Sequence, residues 1–153
     1  MIDMNEELYI TNNEEETIEL GKKFAGRLKN GDVVAISGDL GSGKTEFIKG
    51  ICDFFDVADM VNSPTFTIMN HYSGTLDGEE INICHIDLYR IKDEKELAEI
   101  GFDECIHSED YIKLIEWPEK ADDKLSITNH TVIIKTDKEN ENKREIRIIR
   151  NHN

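Results

Sequence analysis

The chain has 153 residues, 33 of them acidic and 18 basic, so its formal net charge at pH 7 is −15. This length suits one domain with a hydrophobic core, and we expect a single domain over residues 1–153. The sequence contains no run of about 18 apolar residues that could span a membrane and no basic stripe for unaided binding to nucleic acid.

The first third of the chain predicts two strand–helix units. A short strand is expected over 7–10 and a helix over 12–31, in which Asn13 is a suitable N-cap and Asn30-Gly31 is a stop signal. The apolar run at 32–38 predicts a buried strand, and apolar residues at helical spacing predict a helix over 44–56. The order is therefore β-α-β-α.

The remaining elements follow from hydrophobic patterning and turn residues. We predict strands over 65–73 and 81–90 around a turn at 76–78, a short helix over 93–102, a strand over 111–117, a loop or helical turn over 118–125, and a hairpin of strands 130–136 and 144–150. This order predicts an α/β fold, a three-layer sandwich with a mixed central sheet. The sheet should be parallel near residues 38–45 and antiparallel at the C-terminal hairpin.

The segment GDLGSGKT, residues 38–45, matches the pattern G-x-x-x-x-G-K-[ST] completely. Glycines let the backbone wrap closely, so that successive N–H groups can hold phosphate oxygens, and the following helix adds its positive N-terminus. In such loops the lysine, here Lys44, reaches the β- and γ-phosphates, and the hydroxyl of the next residue, Thr45, ligates Mg²⁺. The predicted strand before and helix after the loop support a nucleotide-binding P-loop.

The base of the nucleotide is predicted to be adenine. A guanine site would normally carry N/T-K-x-D, and the nearest segment, IKTD at 134–137, lacks the first residue and falls beside a predicted hairpin turn. The sequence also contains no D-x-x-G. We therefore expect ATP rather than GTP.

A second Mg²⁺ ligand is expected from an acidic residue at the end of an apolar strand. Asp87 ends one such strand and Glu116 ends another, and the pattern alone leaves the choice between them open. Trp117, directly after Glu116, is either a packing residue or a neighbour of the nucleotide, and the sequence favours packing.

The cysteines favour a reducing compartment. Cys52, Cys84 and Cys105 are scattered and odd in number, which argues against a disulfide framework. The pairs Cys84-His85 and Cys105-x-His107 do not match a standard zinc spacing. Because the first residues also show no export signal, we expect a cytoplasmic protein.

Four motifs in order, GDLGSGKT, SPTF at 63–66, HIDLYR at 85–90 and IEWPE at 115–119, resemble the TsaE (YjeE) family. The resemblance covers about residues 8–150. It implies a small bacterial P-loop ATPase of the pathway that makes threonylcarbamoyladenosine at adenosine 37 of tRNAs reading ANN codons.

The resemblance also implies a role for particular residues. Leu40, Gly41, Ser42, Gly43, Lys44 and Thr45 would bind the phosphates, Thr45 and Glu116 would hold Mg²⁺, and Asp87 would lie near the γ-phosphate as a Walker-B-like residue or a polariser of water. Ser63, Pro64, Thr65 and Phe66 would form a switch-like loop that senses the γ-phosphate. The segment from Thr11 to Glu14 would lie near the adenine, and Arg144 would reach the nucleotide.

The family resemblance implies an accessory ATPase rather than the transferase itself. Such a protein docks on the TsaB–TsaD complex, contacts tRNA only through these partners, and hydrolyses ATP slowly alone. Two other functions remain open for a P-loop protein of this size, a small nucleotide or metabolite kinase and an ATP-sensing module with negligible turnover. Phosphate release that partner proteins stimulate would separate the first function from the other two.

Overall fold

A computed structural model describes residues 5–58, 68–125 and 127–151 of the chain. Its strands are β1 (Glu6–Thr11), β2 (Val33–Ser37), β3 (Met69–Leu76), β4 (Glu79–Asp87), β5 (Tyr111–Glu116), β6 (His130–Thr136) and β7 (Arg144–Arg150). Within the described residues these seven strands form one sheet in the order β1-β7-β6-β2-β5-β4-β3. The predicted α/β class with a mixed central sheet is confirmed.

Helices cover both faces of this sheet. The α-helices are α1 (Glu14–Ala25), α2 (Lys44–Phe54), α3 (Glu94–Glu99) and α4 (Phe102–Ile106), and two 3₁₀ helices span Pro118–Lys120 and Asp122–Leu125. Residues of α1 and α2 belong to a first apolar cluster, and residues of α3 and α4 to a second cluster that contains other sheet residues. This gives the predicted three layers. No helix in the described ranges is long and apolar enough to cross a membrane.

The sheet is parallel at its centre and antiparallel at both edges. β2 pairs parallel with β5 and with β6, and β4 pairs parallel with β5. The C-terminal hairpin of β6 and β7 is antiparallel, as predicted, and β7 also pairs antiparallel with β1. At the other edge β3 and β4 form a second hairpin, whose turn residues Asp77 and Gly78 both have positive φ.

Parallel pairing brings three chain segments to one edge of the sheet. In the register, Glu116 at the end of β5 lies opposite Ile36 of β2 and opposite Asp87 of β4. The loop that follows β2 therefore begins level with both carboxylates. This edge, at the carboxyl ends of parallel strands, is where α/β proteins place ligands.

α1 begins as predicted and ends earlier. The side chain of Asn13 accepts a hydrogen bond from the N–H of Glu16 at 2.8 Å, which caps the helix, and the first turn is acidic. The prediction that the helix continues to Gly31 is wrong, because α1 ends at Ala25. From Gly26 to Leu28 the backbone N–H groups donate to carbonyls three residues back. This is the 3₁₀ pattern in which many helices end.

The predicted helix over 93–102 is also wrong in part, since the structure contains two short helices there. Asp93 caps α3 through bonds from the N–H groups of Lys95 and Glu96. Gly101 then adopts a left-handed conformation with φ of 74° and separates α3 from α4. A glycine in this conformation is a common helix stop, so the apolar spacing across it misled the prediction.

α1 and α2 pack closely through two glycines. A Cβ atom on Gly21 would lie 2.1 Å from the carbonyl oxygen of Phe47, and one on Gly50 would lie 1.9 Å from that of Ile18. The obstructing atoms are backbone atoms, which cannot rotate away. This close approach fixes the position of α2 and of the loop that leads into it.

We expect Gly50→Ala to lower the free energy of unfolding by about 3 kcal/mol, because the added methyl group forces the two helices apart. Urea denaturation followed by far-UV circular dichroism measures this change. Gly26→Ala is the matched control, since its Cβ would meet the carbonyl of Lys23 at an ordinary 3.4 Å. Equal stability of the Gly50→Ala variant and the wild type would contradict the packing argument.

Candidate functional site

A cavity of about 400 Å³ opens at the carboxyl ends of β2, β4 and β5. Its lining residues are Asn13, Glu14 and Thr17, the loop from Leu40 to Glu46, Asp87, Tyr89, Glu116, Trp117, Asn142 and Arg144. The structure thus brings together most of the residues that the sequence singled out. Ser63, Pro64, Thr65 and Phe66 lie outside the described residues.

The loop between β2 and α2 has the shape of an anion cradle. Gly43 precedes α2 with φ of 109°, a conformation that favours glycine, and the N-terminus of α2 has no side-chain cap. The side chain of Ser42 is buried, and its Oγ has no hydrogen-bond partner among the described residues. A helix N-terminus and an unsatisfied hydroxyl beside it provide donors that fit phosphate oxygens.

Lys44 lies at the bottom of this cradle. Its ammonium donates to the carbonyl oxygens of Gly38 and Asp39 and lies 4.7 Å from the centre of the Trp117 ring. Burial lowers the pKa of Lys44, whereas the carboxylates of Glu116 and Asp87 act to raise that pKa. Neutral carbonyls, an aromatic face and two acidic neighbours therefore hold the cation at the wall of the cavity.

Glu116 is buried and is held by a histidine that the sequence did not assign to the site. His85 Nε2 lies 2.7 Å from Glu116 Oε2, and His85 Nδ1 lies 3.1 Å from the hydroxyl of Tyr72. A carboxylate only accepts, so Nε2 carries the proton, and in a neutral ring Nδ1 then accepts from Tyr72. This chain of bonds fixes the orientation of the Glu116 carboxylate beside the cavity.

Asp87 is the second carboxylate at the cavity. Its Oδ1 accepts a hydrogen bond from the N–H of Tyr89 at 3.0 Å. Burial raises the pKa of Asp87, and the nearby Glu116 carboxylate raises it further, while the Tyr89 N–H lowers it. Two neighbouring carboxylates at one cavity favour a bound cation, because the cation offsets the repulsion between their charges.

The oxygen donors at this edge fit Mg²⁺. Thr45 lines the cavity with a hydroxyl, and Asp87 and Glu116 supply carboxylate oxygens. In the described part of the chain no three or more His, Cys, Asp or Glu side chains surround a common point. One hydroxyl and two carboxylates are ligands that Mg²⁺ accepts, since it usually combines one or two carboxylates with water and substrate phosphates.

Arg144 comes from the start of β7 and lies against the loop. Its guanidinium donates to the carbonyl of Gly41 at 3.4 Å and to the carbonyls of Glu141 and Lys143. Its Nε would lie 3.6 Å from a Cβ atom on Gly43. The structure therefore places this arginine at the rim of the cavity, next to the anion cradle.

The remaining predicted residues differ in their relation to the cavity. Glu14 lines it, but Thr11 does not, because the Thr11 hydroxyl is buried and bonded at 2.8 Å to the hydroxyl of Thr17. Trp117 both packs on the second apolar cluster and lines the cavity, with its ring 4.9 Å from that of Tyr89. The packing and nucleotide-adjacent interpretations of Trp117 are thus compatible.

Sequence reasoning did not assign Thr17, Tyr89 and His85 to the site. Tyr89 and His85 lie inside the HIDLYR segment, and each is two residues from Asp87, which the sequence did assign to the site. Thr17 follows the α1 cap by one helical turn, and this spacing turns its side chain towards the loop. The link from His85 to Tyr72 had no local signal, because it depends on the pairing of β3 with β4.

Comparisons with known proteins agree with one another. A sequence profile described as "Threonylcarbamoyl adenosine biosynthesis protein TsaE" matches residues 11–146. The chain is similar to the "tRNA threonylcarbamoyladenosine biosynthesis protein TsaE" of Bacillus subtilis, with 39% identity over 82% of this chain and 75% of that protein. The protein of the same description from Aquifex aeolicus is 34% identical over 92% of this chain and 94% of that protein.

A solved structure supports the same relationship. The crystal structure of Bacillus subtilis YdiB superposes with a TM-score of 0.74 and 29% sequence identity, covering 98% of this chain and 88% of that chain. The likeness therefore extends over the whole sheet and not only over the loop at 38–45. It agrees with the P-loop NTPase-like fold that the sequence predicted.

We expect His85→Leu to lower the free energy of unfolding by about 1–3 kcal/mol, because it leaves the buried Glu116 carboxylate without this donor. Chemical denaturation at neutral pH measures the change. Tyr72→Phe keeps the bond between His85 and Glu116 and should cost less, about 1 kcal/mol. A His85→Leu variant as stable as the wild type would show that the bond does not hold Glu116.

Proposed function

The chain belongs to the TsaE family of threonylcarbamoyladenosine biosynthesis proteins, and from this and the geometry of the cavity we propose that it binds and hydrolyses ATP with Mg²⁺. One observation carries the proposal. The anion cradle, the Lys44 ammonium and the carboxylates of Asp87 and Glu116 converge on a single cavity. Such a combination of phosphate donors and oxygen ligands is what a nucleoside triphosphate with a divalent cation requires.

Residues 40–45 bind the triphosphate in this proposal. The N–H groups of the loop and the start of α2 hold the phosphate oxygens, and the orphaned Ser42 hydroxyl gains an acceptor. Lys44 turns from the carbonyls of Gly38 and Asp39 to the β- and γ-phosphates. Its buried position makes each interaction with a phosphate charge stronger than it would be in water.

Thr45 and Glu116 would hold Mg²⁺, with Asp87 close by. When bound, the ion neutralises charge on the phosphates and orients them for attack by water. His85 keeps the Glu116 carboxylate turned to the cavity throughout. The position of Asp87 at the cavity, opposite Glu116, suits a residue that accepts a hydrogen bond from the attacking water.

The start of α1 and the start of β7 complete the site. Asn13 and Glu14 line the cavity where the adenine is proposed to bind, and Arg144 lines it where it would lie beside the phosphates. Thr11 supports this wall from behind through Thr17. The switch role of residues 63–66 stays a prediction.

We propose that the ATPase serves the threonylcarbamoyladenosine machinery as an accessory subunit. TsaB and TsaD are its proposed partners, and they, rather than this chain with its net charge of −15, would hold the tRNA. Arg144 bonds to loop carbonyls instead of pointing freely into the cavity. An added arginine at a phosphoryl-transfer site is worth roughly 10³ to 10⁵ in rate, so slow turnover alone and stimulation by cytoplasmic partners are consistent with this site.

We expect Lys44→Ala to weaken ATP binding by about 30-fold or more, since it removes a buried charge from the phosphates. Isothermal titration calorimetry with ATP and Mg²⁺ measures the affinity. Lys49→Ala, on the same helix and outside the cavity lining, is the control and should bind as the wild type does. Unchanged affinity in Lys44→Ala would mean that the loop does not hold a triphosphate.

Glu116→Gln should retain nucleotide binding and lose Mg²⁺-dependent phosphate release, because the amide keeps the shape and removes the charge. The assay is phosphate release from ATP, alone and with TsaB–TsaD, before and after removal of Mg²⁺ with a chelator. If Asp87→Asn has this phenotype and Glu116→Gln does not, the two roles are exchanged. Phosphate release that TsaB–TsaD leave unchanged would argue against the accessory role.

A further inference from the structure

Two of the three cysteines meet on the sheet face covered by α3 and α4. Cys84 lies in β4 and Cys105 in α4, 21 residues later, and their sulfur atoms are 3.1 Å apart. Both are free thiols. They pack in the second apolar cluster, whereas Cys52 lies on α2 in the first cluster. Contact between two thiols is the first requirement for a thiol–disulfide pair.

A buried cation lies next to this pair. Lys113 of β5 is opposite Cys84 in the parallel register, and its side chain is fully buried. Its ammonium donates to the backbone carbonyls of Gly31 and Ser108, which are neutral acceptors. Burial lowers the pKa of Lys113, and its charge interacts with the two thiols as well as with the carboxylates of Glu109 and Asp32.

The two thiols differ in acidity and in access. The hydrogen bond with Cys84 lowers the pKa of Cys105, and the charge of Lys113 lowers it further against the effect of burial. The same bond and burial raise the pKa of Cys84. Cys84 is fully buried, while Cys105 is partly exposed. A partly exposed thiol with a lowered pKa beside a second, buried thiol is the arrangement of an attacking and a resolving cysteine.

We propose that Cys84 and Cys105 are a modification site, at which exchange with a small-molecule disulfide forms a reversible internal disulfide. The Cys105 thiolate attacks one sulfur of the small disulfide, a mixed disulfide forms, and the other half leaves as a thiolate. The Cys84 sulfur then attacks the Cys105 sulfur, and the second half leaves with the Cys84 proton. Overall, two protein thiols are oxidised and one small disulfide is reduced to two thiols.

The fold permits the small movement that this bond requires. The sulfur atoms must approach from 3.1 Å to about 2.05 Å. α4 has only five residues and follows Gly101, whose left-handed conformation separates it from α3. A shift of about 1 Å in so short a helix leaves the strands of the sheet in place.

The proposal is independent of ATP hydrolysis, and intact-mass spectrometry of the full chain tests it directly. Reduced protein is incubated with oxidised glutathione under native conditions, trapped with an alkylating agent and digested for peptide mapping. The wild type should lose two hydrogen masses and yield a linked peptide that joins Cys84 to Cys105. Dithiothreitol should reverse this change.

Three variants separate the steps. Cys84→Ser should stop at one glutathione adduct on Cys105, Cys105→Ser should not react at this site, and Cys52→Ser should behave as the wild type does. The oxidised wild type should melt roughly 5–10 °C above the reduced form, because the bond closes a loop. Because the wild-type peptide map needs no variant, poor folding of Cys84→Ser would leave the test intact.

Either of two results would overturn the proposal. One is a wild-type chain whose native form shows no linked peptide after prolonged oxidation. The other is a stable adduct on Cys105 that Cys84 does not resolve. If Cys52 reacted faster than Cys105, the charge of Lys113 and the partial exposure of Cys105 would not be what selects the reactive thiol.

Discussion

Parallel pairing of β5 with both β2 and β4 is the constraint on which the rest of the structure depends. It places the end of β5 level with the ends of its two neighbours, so that Glu116 faces Asp87 on one side and the start of the P-loop on the other. The loop at 38–45, Asp87 and Glu116 are positioned from this edge. The close contact of α1 with α2 at Gly21 and Gly50 then fixes the helix whose N-terminus points into it.

The cavity brings one buried positive charge close to two carboxylates. Lys44 is buried between two carboxylates, and the loop carbonyls hold it in place. Each of these charges is costly to bury alone, and each is offset by an opposite charge or by a directed hydrogen bond. The proposed ligand, with its negative phosphates and a divalent cation, would meet groups that these contacts already hold in place. In the proposed function, a chain with a net charge of −15 would in this way bind an anionic ligand at one place.

The sequence predicted the elements whose signals are local and missed the contacts that depend on the sheet. The loop at 38–45, the Asn13 cap, the turn at Asp77-Gly78 and the C-terminal hairpin each have a compact pattern, and each was found. The end of α1 and the break at Gly101 were missed because apolar spacing continues across both. The sequence analysis considered His85 only as part of a Cys84-His85 pair that matches no standard zinc spacing. Its true partners, Tyr72 and Glu116, are 13 and 31 residues away. The same limit hid the contact of Cys84 with Cys105, which are 21 residues apart in the sequence.

β4 shows how one strand serves two chemistries without mixing them. Successive side chains of a strand point to opposite faces, so Cys84 turns towards α4 and Lys113 while His85 turns towards Tyr72 and Glu116. Asp87, two residues on, shares the face of His85 and lies at the cavity.

A covalent change at Cys84 would therefore reach the site only through the backbone of β4. That backbone is paired on both sides, with β3 and β5, and pairing on both sides resists displacement. The proposed disulfide is for this reason expected to change the stability of the second apolar cluster more than the chemistry of the cavity.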